Sequence, residues 1–517
     1  MTASKEVEAA TSHPGHIEDG PHKHAEVLGA SHETVVIDED LSRRIVRKFD
    51  YRILILFLII NLFSFIDRVN IGNARLLGLE KDLQLGVGLR YNIALMCLFV
   101  SYCVVELPSN IACKYFGGNI WIPSLVFSFG LITTLTSLVE TRESLYAVRF
   151  LLGCVEGGIS PGLVWMLSQL LVFSDFVKVW TTDYSSYRRQ ELGFRTSIYI
   201  SAASASGAFG GLLAIGLSKI PQWGLIHTWR NIYFFEGIIS LIIAVAAYFM
   251  IPAGPETAKF LTEEEKITAV NRLLADSVGT TEGGRTRLKH VWQALSSVHV
   301  LGCAFGFFLS NTVAQSFGVF APSIIRGMGY SNTDAQLLSV GPYAVACFFS
   351  IGVGYLSDRY KKRALVIVCT APFSIAGFFM LEFLPNDRPA AKYGALYLAA
   401  TGLYAFVPIW LTWAVNNCAT ATVRAACSGI VFTLGSVGGV LAPWMFLPKD
   451  APAYRKGHAI LVSFLCGSWA CAIVLWMYCK WENRQRDMGK RDHRLQGLTR
   501  EQELELSSNH PAFRYLV

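Results

Sequence analysis

Twelve blocks of roughly 20 consecutive, mostly apolar residues recur along this 517-residue chain, each long enough to cross a bilayer as a helix. They fall at about 53–76, 91–113, 119–139, 144–169, 193–218, 228–251, 295–320, 335–357, 363–384, 391–415, 423–447 and 458–480. With 52% of its residues hydrophobic and only 16% charged, the chain is too apolar for a soluble protein, so these blocks must face lipid or one another. The expected fold class is therefore an all-α membrane protein with twelve transmembrane helices. The polar stretch 252–293 divides them six and six, giving one six-helix half at 51–251 and another at 294–481.

The remaining polar segments fit that plan. Residues 1–50 lack apolar periodicity over most of their length and read as a disordered tail. His13, His16, His22, His24 and His32 show no repeated ligand spacing there, so a solvated histidine-rich tail is the reading rather than a metal site. No cleavable signal peptide is visible before the first block. In the central stretch, Thr262 with Glu265 three residues on has the spacing of a capping box and predicts a short surface helix. The short connections do not decide the orientation. The flank before the first helix, the central stretch and the tail 482–517 are all basic, and an even number of spans puts them on one side, expected to be cytoplasmic. The net charge of +7 gathers at these edges, as at a membrane face, and does not suggest nucleic acid. The 12 cysteines show no zinc-type or CxxC spacing. No phosphate-binding glycine loop, metal spacing or nucleophile motif appears, so an enzyme is disfavoured and neither cofactor nor ATP is expected.

Against that apolar background the ionisable residues stand out. The first block, ILILFLIINLFSFIDRVNIGNARLLG, carries Asp67 and Arg68 side by side. An ionisable residue at membrane depth is unfavourable, so it usually faces a cavity or partner and often marks a substrate or proton path. Arg149 and Glu156, seven apart, share a face of the fourth block, and Tyr102, Glu106 and Asn110 stack at steps of four on the second. The structural alternative is that Arg149 pairs with Glu106 or Glu156 and merely holds helices together. The functional reading gives Arg68, helped by Arg149 and Tyr102, an anionic substrate to bind. Asp67, Glu156 and Glu106 would carry the proton. Substrate and carboxylate then compete for one cation, and that competition is the coupling. In the second half, Gln315, Asn311, Trp410, Trp413, Asn416, Asn417 and Tyr343 are the polar or aromatic candidates, with Gln315, Trp413 and Asn416 chosen for substrate.

Several motifs together resemble the major facilitator superfamily, and within it the fungal allantoate permease family of anion:cation symporters. They are FIDRVNIGNARLLGLEKDL (65–83), SYCVVELPSN (101–110), RFLLGCVEGGISPG (149–162), WRNIYFFEG (229–237), GYLSDRYKKR (354–363) and HPAFRYL (510–516). The resemblance implies two halves rocking about a midplane site and uptake of small carboxylates, such as allantoate, ureidosuccinate, nicotinate or other vitamin acids, coupled to protons. It also implies that Gly354, Asp358, Arg359 and Arg363 form a latch of helix ends at the cytoplasmic face. The expected partners are the anion, protons and the bilayer, for a monomer in the plasma membrane. A drug or metabolite exporter of the same fold is the first alternative, and a non-transporting nutrient receptor the second. Two departures stand out. Ser436 replaces the asparagine common in LGSVGG, and LLVFSDFVKVWTTDYSS (170–186) interrupts a tight turn. That interruption reads as a retained intron or as a real surface insertion, and the sequence of the messenger RNA separates the two.

Overall fold

The computed structural model describes residues 39–170, 189–269 and 288–517, apart from 386, 419–420, 452–453, 498 and 500–505. The histidines of the first 38 residues and the interruption at 171–186 lie outside the described residues. What is described is helical, with no β-strand among the described residues.

The expected disordered tail is shorter than 1–50, because residues 39–49 form an amphipathic entry helix, α1 (Glu39–Phe49), that packs on the central stretch and runs through a single π-turn into α2 (Ile55–Ala74). Then follow α3 (Arg90–Phe116), α4 (Gly118–Thr136), α5 (Arg142–Glu156), α6 (Ile159–Leu170), α7 (Arg189–Ser218) and α8 (Trp229–Met250). After the polar stretch come α9 (Val298–Gly327), α10 (Asn332–Tyr360), α11 (Arg363–Phe383), α12 (Pro389–Asn416), α13 (Ala421–Leu441) and α14 (Arg455–Asp487). Eleven of the described helical stretches are long and apolar enough to span a membrane. The fourth expected crossing, 144–169, is the α5–α6 pair. It is broken at Gly157–Gly158, so neither piece reaches spanning length alone.

The glycine at the break also packs closely. A side chain at Gly157 would press within 2.7 Å of the Tyr102 carbonyl, so only glycine lets α5 lie this close to α3. The close approach sets Glu156 beside Tyr102 and its neighbours. At the far end of α2, Gly78 turns the chain with φ of +118°, a conformation open mainly to glycine.

The capping box forms. Glu265 accepts from the Thr262 backbone N–H at 2.9 Å and the Glu265 N–H donates to the Thr262 hydroxyl at 3.3 Å, opening a helix at 263–269. Lys48 of α1 grips the same carboxylate at 2.7 Å, and Phe49 packs edge-on against Phe260. Although burial pushes the Glu265 carboxyl up, Lys48 and the Thr262 amide outweigh it and hold it below the usual range.

Several helices run past the apolar blocks. The last block ends near 480 by hydropathy, yet α14 continues to Asp487, because its polar end is covered by the returning C-terminus. Arg486 donates to the Phe513 carbonyl at 2.8 Å and the Ser508 carbonyl at 3.1 Å, and Asn483 exchanges two hydrogen bonds with Tyr515. Farther on, Leu516 N–H donates to Asn417 at 2.7 Å and Tyr515 stacks on His299 of α9. The HPAFRYL motif is thus a strap joining α9, α12 and α14. Deleting residues 510–517 removes several hydrogen bonds worth about 1 kcal/mol each. The detergent-solubilised protein is expected to melt several degrees lower, read by tryptophan fluorescence.

Candidate substrate and proton site

The sequence places Asp67 and Arg68 next to each other on α2, and successive helical residues point about 100° apart. Their partners differ accordingly. Arg149 of α5 donates to Asp67 at 3.0 Å, and Arg68 donates through Nε to Glu156 at 2.5 Å. The two partners on α5 lie two turns apart, so α2 and α5 are joined by two ion pairs of opposite polarity. This corrects the structural alternative weighed above, because the partner of Arg149 is Asp67 and neither Glu106 nor Glu156.

Around these pairs the remaining donors are fixed. Arg149 also donates to the Tyr233 hydroxyl of α8 at 2.7 Å, and it is 1% exposed. Ser64, one turn before Arg68, donates to the same Glu156 oxygen at 2.6 Å. The Arg68 guanidinium lies 4.7 Å from the Tyr102 ring centre and 4.9 Å from that of Phe65. Its Nη2 and the second oxygen of Glu156 are buried without a hydrogen-bond partner. A buried polar group left unpaired is unfavourable, so these two atoms have hydrogen-bonding capacity left for a further partner.

A cavity of about 100 Å3 opens at this point between the first six helices and the last six. Among the described residues lining it, Arg68 is the one that is charged. Phe65, Tyr102 and Phe99 form part of its wall from one side, and Asn311, Gln315 and Ser436 add polar groups from the other. Glu106, one turn beyond Tyr102, is buried within range of Arg68 and of Ser436. The serine that departs from the common pattern therefore borders the cavity.

The other second-half candidates are elsewhere. Gln315 lines the cavity, but Trp413 and Asn416 do not. Trp413 instead donates to the Leu516 carbonyl at 2.9 Å and serves the C-terminal strap, while Trp410 donates to Ser468 at 3.2 Å. Tyr343 donates to the Phe317 carbonyl at 3.1 Å and is buried against Gly207. Both tryptophans are thus engaged in packing between α12 and its neighbours, and the choice of Trp413 for substrate is corrected.

At the other motif, Asp358 forms its ion pair with Arg363, which also donates to Ser357 at 2.7 Å. Arg359 is exposed. The ion pair of this motif therefore runs from Asp358 to Arg363 across the α10–α11 turn and does not involve Arg359, with Gly354 buried one turn earlier. Arg363→Ala is expected to destabilise the protein by about 3–5 kcal/mol, by leaving Asp358 buried and unpaired. Arg359→Ala should change stability by no more than roughly 0.5 kcal/mol. Thermal unfolding of the two purified variants checks the difference.

Sequence reasoning missed one acid. Glu236 of α8 is fully buried and accepts from Asn70 at 2.6 Å. The signal was there, since a lone acid interrupts an otherwise apolar block in WRNIYFFEGIISL.

Hydrogen bonds also seal the bundle where α2 ends and α3 begins. Asn332 donates to the Leu76 carbonyl at 2.8 Å, Gln336 to the Asn73 carbonyl at 3.2 Å, and Asn92 to the Pro443 and Phe446 carbonyls. Each joins one of the first six helices to the last six or to their connections.

A bundle of membrane-spanning helices with buried ion pairs beside a central cavity, closed by hydrogen bonds at one end, has the make-up of a multi-pass membrane transporter. The sequence profile of the Major Facilitator Superfamily matches residues 57–443, and the chain belongs to that superfamily. It is 31% identical over 459 residues to the MFS-type transporter efuF of Hormonema carpetanum, covering 87% of this chain and 88% of that protein. It is 28% identical over 477 residues to the high-affinity nicotinic acid transporter of Saccharomyces cerevisiae, covering 92% and 85%. Among solved structures, a bacterial homologue of the human lysosomal transporter Spinster, inward-facing and occupied, superposes with a TM-score of 0.55 at 17% identity. That match covers 83% of this chain and 97% of the other, and it shows the fold.

Proposed function

We propose that this transporter imports a small organic anion, a carboxylate, together with protons by alternating access. The observation that carries the reading is Arg68. It is the one charged lining residue of the cavity among the described residues, it is stacked between Tyr102 and Phe65, and one of its guanidinium nitrogens has no partner. A planar guanidinium with a free arm suits a carboxylate, which can take two parallel hydrogen bonds.

Glu156 holds the other side of that cation, so the substrate must displace a carboxylate to bind with full strength. Protonating Glu156 removes the competitor. Substrate and proton then favour the same state, which is what symport requires. The hydrogen bonds at Asn332, Gln336 and Asn92 close one end of the bundle. We assign that end to the outside, with both termini in the cytoplasm and the protein in the plasma membrane.

The aromatic wall and the small cavity favour a compact, flat acid, and similarity to a nicotinic acid transporter points the same way. Open clefts for drug-sized ligands hold roughly 300–1,000 Å3, well above this space, so an exporter of bulky drugs fits less well. The test is uptake of labelled carboxylated ureides, pyridine carboxylates and sugar acids at two external pH values. Uptake of at least one class that rises as pH falls supports the proposal. Resistance to toxic compounds without any acid uptake would support export instead.

A further inference from the structure

Glu236 is left over when the ion pairs have been drawn. Asp67 has Arg149 and Glu156 has Arg68, whereas the hydrogen-bond partner of Glu236 is a neutral amide, that of Asn70. Its other oxygen, Oε1, is buried with no hydrogen-bond partner. Two further loose ends lie in the adjoining ion pair, Oδ1 of Asp67 and Nε of Arg149, both buried and both unpartnered.

The charged groups that face Glu236 come from two helices. They are Asp67 on α2 and Arg149 and Glu156 on α5, all within Coulombic range. Tyr233, three residues earlier on α8, adds a titratable hydroxyl already engaged by Arg149. On its other sides α8 meets α4, which has no titratable residue, α7, which has none in its described stretch 201–218, and the turn Arg75–Leu79, whose Arg75 is paired with Glu80 at 2.8 Å. Two acids, Asp67 and Glu236, thus compete for one guanidinium. In a medium without water, a carboxylate lacking a cation is far less favourable than the neutral acid.

We propose that Glu236 is a proton-carrying residue of the transport cycle, sharing Arg149 with Asp67. This rests on the proton-coupled reading above. In the state seen here Glu236 holds the proton and Asp67 holds the guanidinium. When a proton reaches Asp67, Arg149 is released to Glu236 and the proton on Glu236 leaves. The set then contains one cation, one anion and one neutral acid, as it did before. The exchange also reaches the seam between the two groups of helices. Asn70, which binds Glu236, accepts from Asn73 at 3.2 Å, and the Asn73 carbonyl accepts from Gln336 of α10. Moving Glu236 toward Arg149 frees Asn70 and disturbs the seal at Gln336.

Two measurements on the full-length purified chain decide the matter. Infrared spectra of the parent are expected to show a protonated-carboxyl C=O band at neutral pH that is absent in Glu236→Gln. An unchanged band in that variant would overturn the assignment whatever the substrate is. In proteoliposomes, with nicotinate as the probe, Glu236→Gln should lose about tenfold or more of proton-driven accumulation. Its counterflow exchange should stay within about twofold, because the cavity residues are untouched. Glu236→Asp, which keeps a protonatable group, should recover part of the accumulation. Parallel loss of exchange and accumulation in both variants would overturn the proposal in favour of a packing role. If a gradient does not drive nicotinate into the parent, and no other carboxylate either, the proton-coupled reading fails. The infrared band still decides where the proton sits.

Discussion

Replacing Arg68 by glutamine is expected to lower carboxylate uptake by about 100-fold or more. The variant loses charge-assisted hydrogen bonds worth roughly 1.5–3 kcal/mol each, and tenfold in affinity corresponds to about 1.4 kcal/mol. It also strands Glu156, which is fully buried and whose cation is Arg68. Arg68→Lys keeps the charge but not the fork or the stacking on Tyr102 and Phe65, and should fall by about tenfold. The double variant Arg68→Gln, Glu156→Gln removes the stranded acid. It should recover protein level without recovering uptake, which separates a folding defect from a binding one. Initial rates of labelled uptake, normalised to transporter in the membrane, check all three.

Glu156→Gln should have the opposite character. The amide keeps the shape and can still meet Ser64, but it no longer competes as an anion for Arg68. Substrate then binds without needing a proton, so exchange between equal pools continues while accumulation against a gradient falls by about tenfold or more. Counterflow and gradient-driven uptake measured on one preparation of proteoliposomes give both numbers. Loss of exchange with coupling intact would contradict the role given to Glu156.

The fold was legible because membrane-spanning helices announce themselves by length and hydropathy. The seven-residue spacing of Arg149 and Glu156 likewise puts both on one face by helical periodicity alone. Pairing was not legible. Adjacent residues on α2 reach partners two turns apart on α5, and that crossing depends on how closely Gly157 lets α5 approach Tyr102. The tryptophans of α12 misled for a related reason. Their spacing describes a helix face, while the C-terminal strap that occupies Trp413 comes from about a hundred residues away. Glu236 obeyed the same rule that singled out Asp67, namely a charge inside an apolar block, and could have been found from its sequence context alone.

Competition between a bound anion and Glu156 for the Arg68 guanidinium is the centre of the account, and equilibrium binding tests it most directly. The affinity of purified parent and Glu156→Gln for nicotinate, or for whichever acid the uptake panel identifies, should be measured across pH alongside its uncharged amide analogue. The parent is expected to bind the acid more tightly as pH falls. The variant should bind it tightly at every pH, and neither should hold the amide well. The same pH dependence in both proteins, or equal affinity for acid and amide, would contradict it.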